Sequence, residues 1–209
     1  MHVISVSNRK GGVGKTTIAT NLARSLQLRG HEVVCIDADE QGSLRDWAAT
    51  ETDVQVPMTV GVDRPVIHEE VPRLNGFDYA IVDGVAKMQR MNASAIKAAD
   101  LALIPIRPSA LDMWTAGELV DLIKSRQEAT GGPHAAFVLS QAIVGTTLAE
   151  TAESALEKLE LPVWEGTCQR IAYAKAVGRG LSVLDLNDEK AKSEINDLTD
   201  RILQTLTHG

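Results

Sequence analysis

Short apolar runs alternate along this chain with stretches in which apolar residues recur every three to four positions. Val3 to Val6, Val33 to Ile36, Phe77 to Val82, Asp100 to Pro105 and Ala135 to Leu139 read as buried strands. Between them lie helical patterns: Ile18, Leu22 and Ser25 or Leu26, ended by Gly30; Ser43 to Ala49; and residues 113 to 129, with Leu119, Leu122 and Ile123 on one face and Gly131-Gly132-Pro133 as the breaker. Weaker signals predict a strand near Pro57 to Val60, a helix ending near Leu74, a helix from Thr147 to Leu159, a short strand at Pro162 to Trp164 and an amphipathic final helix from Glu189 to Leu206. Alternation of this kind predicts an α/β fold, a doubly wound and mostly parallel sheet of about seven strands covered on both faces.

Composition narrows the class. The 209 residues are 44% hydrophobic, and the 7 prolines and 16 glycines are scattered, so one domain over 1–209 is expected, with a large core and no linker. No apolar run reaches the roughly 18 residues of a membrane span, and the first residues enter a strand, not a leader, which predicts a cytoplasmic protein. Cys35 and Cys168 are too far apart for a metal or cluster motif and read as reduced thiols. A net charge of −7 argues against wholesale attraction to nucleic acid and leaves room for a local basic patch.

The chemistry concentrates at Asn8-Arg9-Lys10-Gly11-Gly12-Val13-Gly14-Lys15-Thr16-Thr17, between the first strand and the first helix. Glycines in that setting let successive backbone N–H groups and a helix N-terminus converge on phosphate oxygens. Gly11 through Thr17 are therefore the candidate nucleotide-binding residues. Lys15 supplies charge to the β- and γ-phosphates and the Thr16 hydroxyl is placed for Mg²⁺. The loop departs from the general pattern, because the position five before Gly14 is Arg9 and not glycine.

Lys10 to Thr17, K-G-G-x-G-K-T-T, resembles the deviant phosphate-binding loop (deviant Walker A) of the ParA/MinD ATPases, which are P-loop NTPases of the SIMIBI type. The resemblance implies that Lys10 reaches across a dimer interface to the partner's nucleotide while Lys15 acts within its own chain. It extends to Asp37-Ala38-Asp39-Glu40-Gln41, where relatives carry D-x-D-P-Q and Glu40 replaces the proline. It implies that Asp39 orients the attacking water and that Asp37 lies near the Mg²⁺ shell. A structural alternative is that both carboxylates cap the helix near Ser43. The apolar strand ending in Asp83-Gly84 fits the second acidic motif, which implies that Asp83 faces the Mg²⁺ water shell. Asp78 begins the same strand, at the wrong end of the sheet.

Further along, Pro105-Ile106-Arg107-Pro108-Ser109 resembles a segment near the family's dimer face, with Asp112 open to two readings, interface residue or N-cap. Ser140 and Gln141 stand where relatives contact adenine, without the usual Asn or Arg. Gln169 to Val183 resembles the family's C-terminal Q-R-x-x-Y segment. It lies in an acid-free run from Gly166 to Leu184, so Arg170, Lys175 and Arg179 form either a DNA-binding patch or an ordinary solvated face. The resemblance implies a small plasmid-type ParA partition ATPase of the ParF kind, without an N-terminal DNA-binding extension. Such a protein uses ATP and ADP with Mg²⁺ and forms a homodimer with ATP. That dimer binds DNA without sequence preference, and so associates with the nucleoid, without a membrane role. A centromere-binding or adaptor protein stimulates hydrolysis. A MinD-type membrane switch and a metabolic ATP-dependent ligase of the same superfamily are the alternatives. The first needs a membrane-binding C-terminal helix, and the second lacks the equivalent of Lys10.

Overall fold

A computed structural model describes residues 1–86 and 88–208. Among the described residues seven strands, all parallel, form one sheet: β1 (His2–Val6), β2 (Val33–Asp37), β3 (Met58–Gly61), β4 (Tyr79–Asp83), β5 (Leu101–Ile106), β6 (His134–Leu139) and β7 (Val163–Trp164). Their spatial order is β3-β2-β4-β1-β5-β6-β7. The chain works outward on one side of β1 through β2 and β3, returns to β4, then crosses to the other side for β5 to β7. That reversal opens a crevice at the carboxyl ends of the central strands, where open sheets bind ligands.

Strand residues alternate between the two faces of the sheet, as the pleat requires, one face carrying one core cluster and the other two. Ile4, Val6, Cys35, Ile81, Leu103 and Val138 face the side covered by α1 (Lys15–Leu28), α2 (Ser43–Ala49) and α9 (Glu189–His208). Val3, Val34, Ile36, Ala80 and Val82 face α3 (Ile67–Glu70) and α4 (Gln89–Ala98). Ala102, Ile104, Ile106 and Phe137 face α6 (Gly117–Thr130) and α7 (Leu148–Leu156). Ile18, Leu22 and Leu26 of α1 are fully buried, each contributing about 1.5–3 kcal/mol.

The predicted elements appear with three refinements. The helix over 113–129 is two helices, α5 (Ala110–Trp114) and α6, separated at Thr115 and Ala116. The Thr115 hydroxyl donates to the Asp112 carbonyl at 2.8 Å, and Gly117 then opens α6. The helix from Thr147 ends as α7 at Leu156 and continues as a 3₁₀ turn over Glu157–Leu159. The segment ending near Leu74 is α3 followed by a 3₁₀ turn, Val71–Arg73.

Two polar ties fix α1, and with it the glycine loop. Asn21 accepts from the Ser182 hydroxyl at 2.7 Å and the Val183 N–H at 2.8 Å, docking the segment after α8 (Ile171–Val177). Thr199 of α9 donates to Ser25 at 2.9 Å, inside the core.

Candidate functional site

The carboxyl ends of three adjacent strands lie level. Val6 pairs in register with Asp83, and Asp83 with Asp37. The glycine loop leaves β1 at this point and turns into α1 through Gly12 at φ 73° and Gly14 at φ 88°, left-handed values that a side chain would strain. Gly14 is doubly constrained, because a Cβ there would collide with the buried Ser140 hydroxyl. Val13 contributes only backbone to the loop; its side chain is buried.

A cavity of about 300 Å³ opens over the loop, lined by Gly11, Gly12, Gly14, Lys15, Thr16 and Thr17 together with Asp39, Ser43, Gly84 and Gln141. Gly84 has to be glycine, since a Cβ would lie 3.0 Å from the Val6 carbonyl oxygen and 2.5 Å from the Ser7 hydroxyl. Lys15 is buried and hydrogen-bonds the Lys10 carbonyl at 3.1 Å. Burial lowers its pKa, opposed by the charges of Asp83 and Asp39.

Thr16 Oγ1 donates to Asp83 Oδ2 at 2.6 Å, while Asp83 Oδ1 is buried with no partner among the described residues. Burial pushes the Asp83 carboxyl up to about 7; the Thr16 hydrogen bond and Lys15 pull it down, and Asp37 and Asp39 add to the rise. A buried carboxylate with an unpartnered oxygen beside a hydroxyl is a hard oxygen pair that suits Mg²⁺, an ion that keeps waters and completes its shell with substrate phosphates. The described residues hold no cluster of three or more protein metal ligands.

Asp37 is employed differently. It is buried, and its Oδ1 accepts the Asp39 N–H at 3.0 Å while its Oδ2 accepts the Arg45 N–H at 2.9 Å. It therefore shapes the loop and ties down the first turn of α2, whose N-cap is Gly42. The capping alternative thus describes Asp37, and does not describe Asp39, which lines the cavity. Asp39 Oδ1 accepts the Gln41 N–H at 3.0 Å.

Lys10 turns away from the cavity to form an ion pair with Asp112, and Arg9 pairs with Glu118. Asp112 is fully buried and takes Arg107 through two bonds, Nε at 2.6 Å and Nη2 at 3.2 Å. Burial alone would raise its pKa, but Arg107 and Lys10 outweigh that and hold it low. Ser109, not Asp112, is the N-cap of α5.

A second cavity of about 350 Å³ adjoins the first, sharing Gly14, Thr17 and Gln141, and continues along Thr167, Tyr173 and Val177. Gln141 sits at φ 54° and its Nε2 donates to the Gly12 carbonyl at 3.0 Å, a link between β6 and the glycine loop that sequence reading missed. Arg170 also lines this cavity, and it is paired with Glu194 at 2.6 Å. Lys175 and Arg179 are exposed.

Residues 4–183 match the model of the "CobQ/CobB/MinD/ParA nucleotide binding domain". Over 208 residues, 96% of this chain and 95% of the relative, the sequence is 33% identical to "Maintenance of carboxysome distribution protein A" of Halothiobacillus neapolitanus. A "Protein ParA" of Rhizobium radiobacter is 37% identical over 134 residues, 62% of this chain and 59% of the relative. The ATP complex of a Cyanothece McdA variant superposes with a TM-score of 0.78 at 16% identity, over 97% of this chain and 96% of that one. With its glycine loop at the switch point of an all-parallel sheet, this chain belongs to the CobQ/CobB/MinD/ParA family of nucleotide-binding domains, on its ParA/MinD-type positioning branch.

Proposed function

We propose that this protein is a ParA-type ATPase that uses ATP-dependent dimerisation to position a large cargo. The observation that carries the reading is the pair of lysines on one glycine loop: Lys15 lies inside the phosphate cradle, and Lys10 is directed out of it, at the end of an ion pair it can exchange. ATP fits the two adjoining cavities, phosphates over Gly11 to Thr17 and base toward Tyr173 and Val177. Thr16 and Asp83 would hold Mg²⁺, which neutralises charge on the phosphates. Asp39 orients the attacking water from the rim, and Asp37 supports it through the loop backbone.

In this reading Lys10 leaves Asp112 to reach the nucleotide of a second copy. Arg107 remains bidentate on Asp112, so the buried carboxylate is not left uncompensated. Dimerisation and chemistry are thereby one event, and the protein works as a switch whose ATP state carries contacts that the ADP state lacks. A partner or adaptor protein then sets the rate of hydrolysis; unassisted turnover on the order of 10⁻⁴ to 10⁻² per second is expected.

DNA is the proposed track. Lys175 and Arg179 supply the phosphate contacts, and Arg170 joins them to the extent that it exchanges Glu194 for phosphate. Two copies double the patch, which a chain of net charge −7 needs. The membrane alternative loses support because the apolar stripe of α9 that such a helix would turn to the bilayer, Ile195, Leu198 and Ile202, is buried in the core. A relative aligned nearly end to end is named for carboxysome distribution, which favours a cargo of that kind over a plasmid.

Binding of two unrelated DNA duplexes at several salt concentrations, with ATP against ADP, tests the reading. Expected is ATP-dependent binding to both duplexes, falling with salt by a slope of roughly −0.9 per phosphate contacted, and a flatter slope for Lys175→Glu. Binding that ignores the nucleotide, or none with ATP at low salt, contradicts it.

A further inference from the structure

Asp39 is the first residue of a four-residue turn closed by the Gly42 N–H to the Asp39 carbonyl at 3.0 Å. Glu40 occupies the second position of that turn, where proline is favoured because its ring presets φ. Glutamate presets nothing there, so the turn needs another restraint. Arg45, in the first turn of α2, supplies it. Its Nη2 donates to the Asp39 carbonyl at 3.0 Å and the Glu40 carbonyl at 3.5 Å, and its Nε reaches Asp37 Oδ2 at 3.4 Å. The side chain, 44% exposed, lies against two glycines: a Cβ on Gly42 or on Gly61 would stand 3.1 Å from it. Asp39 is thus gripped on both sides of its α-carbon, at N–H by buried Asp37 and at C=O by Arg45, with its carboxylate on the cavity rim.

We propose that Arg45 is a positioning residue for hydrolysis, holding the Asp39 carboxylate in place by doing with hydrogen bonds what a proline ring at position 40 would do covalently. The inference rests on the reading of Asp39 as the water-orienting residue. Proline at 40 is compatible with the turn, because the Glu40 N–H takes part in none of the bonds that define it.

The test is single-turnover hydrolysis of MgATP by the full chain, alongside titration with a fluorescent ATP analogue and thermal melting. The variants are Arg45→Ala, Arg45→Lys, the double variant Glu40→Pro/Arg45→Ala, and Asp39→Ala as reference. Arg45→Ala is expected to lower the rate by about tenfold, less than the roughly hundredfold that a full 1 Å misplacement can cost because the Asp37 bond to Asp39 remains, with affinity for the analogue changed by less than about threefold. Arg45→Lys, keeping one donor, should fall between, and remains informative if the alanine variant melts early. Glu40→Pro in the double variant should restore most of the rate. A purely structural Arg45 would lower the melting temperature, and Glu40→Pro would then restore stability without restoring the rate; that outcome overturns the proposal. So does a wild-type rate in both Arg45→Ala and Arg45→Lys beside an inactive Asp39→Ala, which spares the reading of Asp39. A wild-type rate in Asp39→Ala overturns both.

Discussion

Gly14 meets two demands that no other residue satisfies, a φ of 88° and a Cβ position already taken by the Ser140 hydroxyl. Gly14→Ala should therefore displace either the loop or β6, and nucleotide affinity measured by fluorescence titration should fall by at least about tenfold, a loss of roughly 1.4 kcal/mol or more. Affinity within a factor of two of wild type would show that the loop is not shaped as described. Lys15→Ala removes the one lysine inside the cradle and should abolish tight binding, whereas Lys10→Ala, whose side chain points to Asp112, should bind the analogue normally. At this scale the loop was legible in sequence because each glycine, lysine and threonine has a local reason to be there. The contacts of Gln141, Arg45 and Arg107 were not, because they are made with partners brought close only by folding: Gly12 across 129 positions of chain for Gln141, and a turn and a buried carboxylate whose geometry no spacing rule encodes for the other two.

At the level of elements, α8 and α9 are joined through Glu194, which accepts from Arg170, from the Tyr173 hydroxyl at 2.7 Å and from the Cys168 N–H at 3.0 Å. Burial pushes the Glu194 pKa up, but these donors together hold it below its ordinary value. A carboxylate with a depressed folded-state pKa adds stability above the unfolded-state value of about 4.5, and that stability is lost as pH falls through the folded-state value. Glu194→Gln should accordingly cost about 2 kcal/mol at pH 7, typical of hydrogen bonds to a charged group, and progressively less below pH 4.5, as read from urea unfolding midpoints. A cost independent of pH would place the stabilisation in packing. This element also explains a gap in the sequence reading. The acid-free run from Gly166 to Leu184 left a DNA-binding patch and an ordinary solvated face both open, and its first arginine is matched by a glutamate in α9. The strands β1, β2, β4, β5 and β6 were read closely, since each is a short apolar run, whereas β3 and β7 at the sheet edges, four and two residues long, gave only weak signals. The break between α5 and α6 was not read, because no proline or glycine marks Thr115 or Ala116, and the bond from the Thr115 hydroxyl to the Asp112 carbonyl that accompanies it is of a kind that α9 also carries without breaking.

At the scale of the whole molecule, the proposed function turns on a glycine loop with Lys15 facing the cavity and Lys10 facing away from it, the second placed to serve another copy. Asp39→Ala should bind MgATP and accumulate as a stable dimer, because it removes water orientation and leaves the phosphate contacts in place. The most direct measurement is the molar mass of Asp39→Ala by light scattering after size exclusion, in MgATP and in MgADP, with and without Lys10→Ala. The account predicts two chains with ATP, one with ADP, and one with ATP once Lys10 is replaced. A single-chain mass with ATP, or a dimer that persists without Lys10, would contradict it.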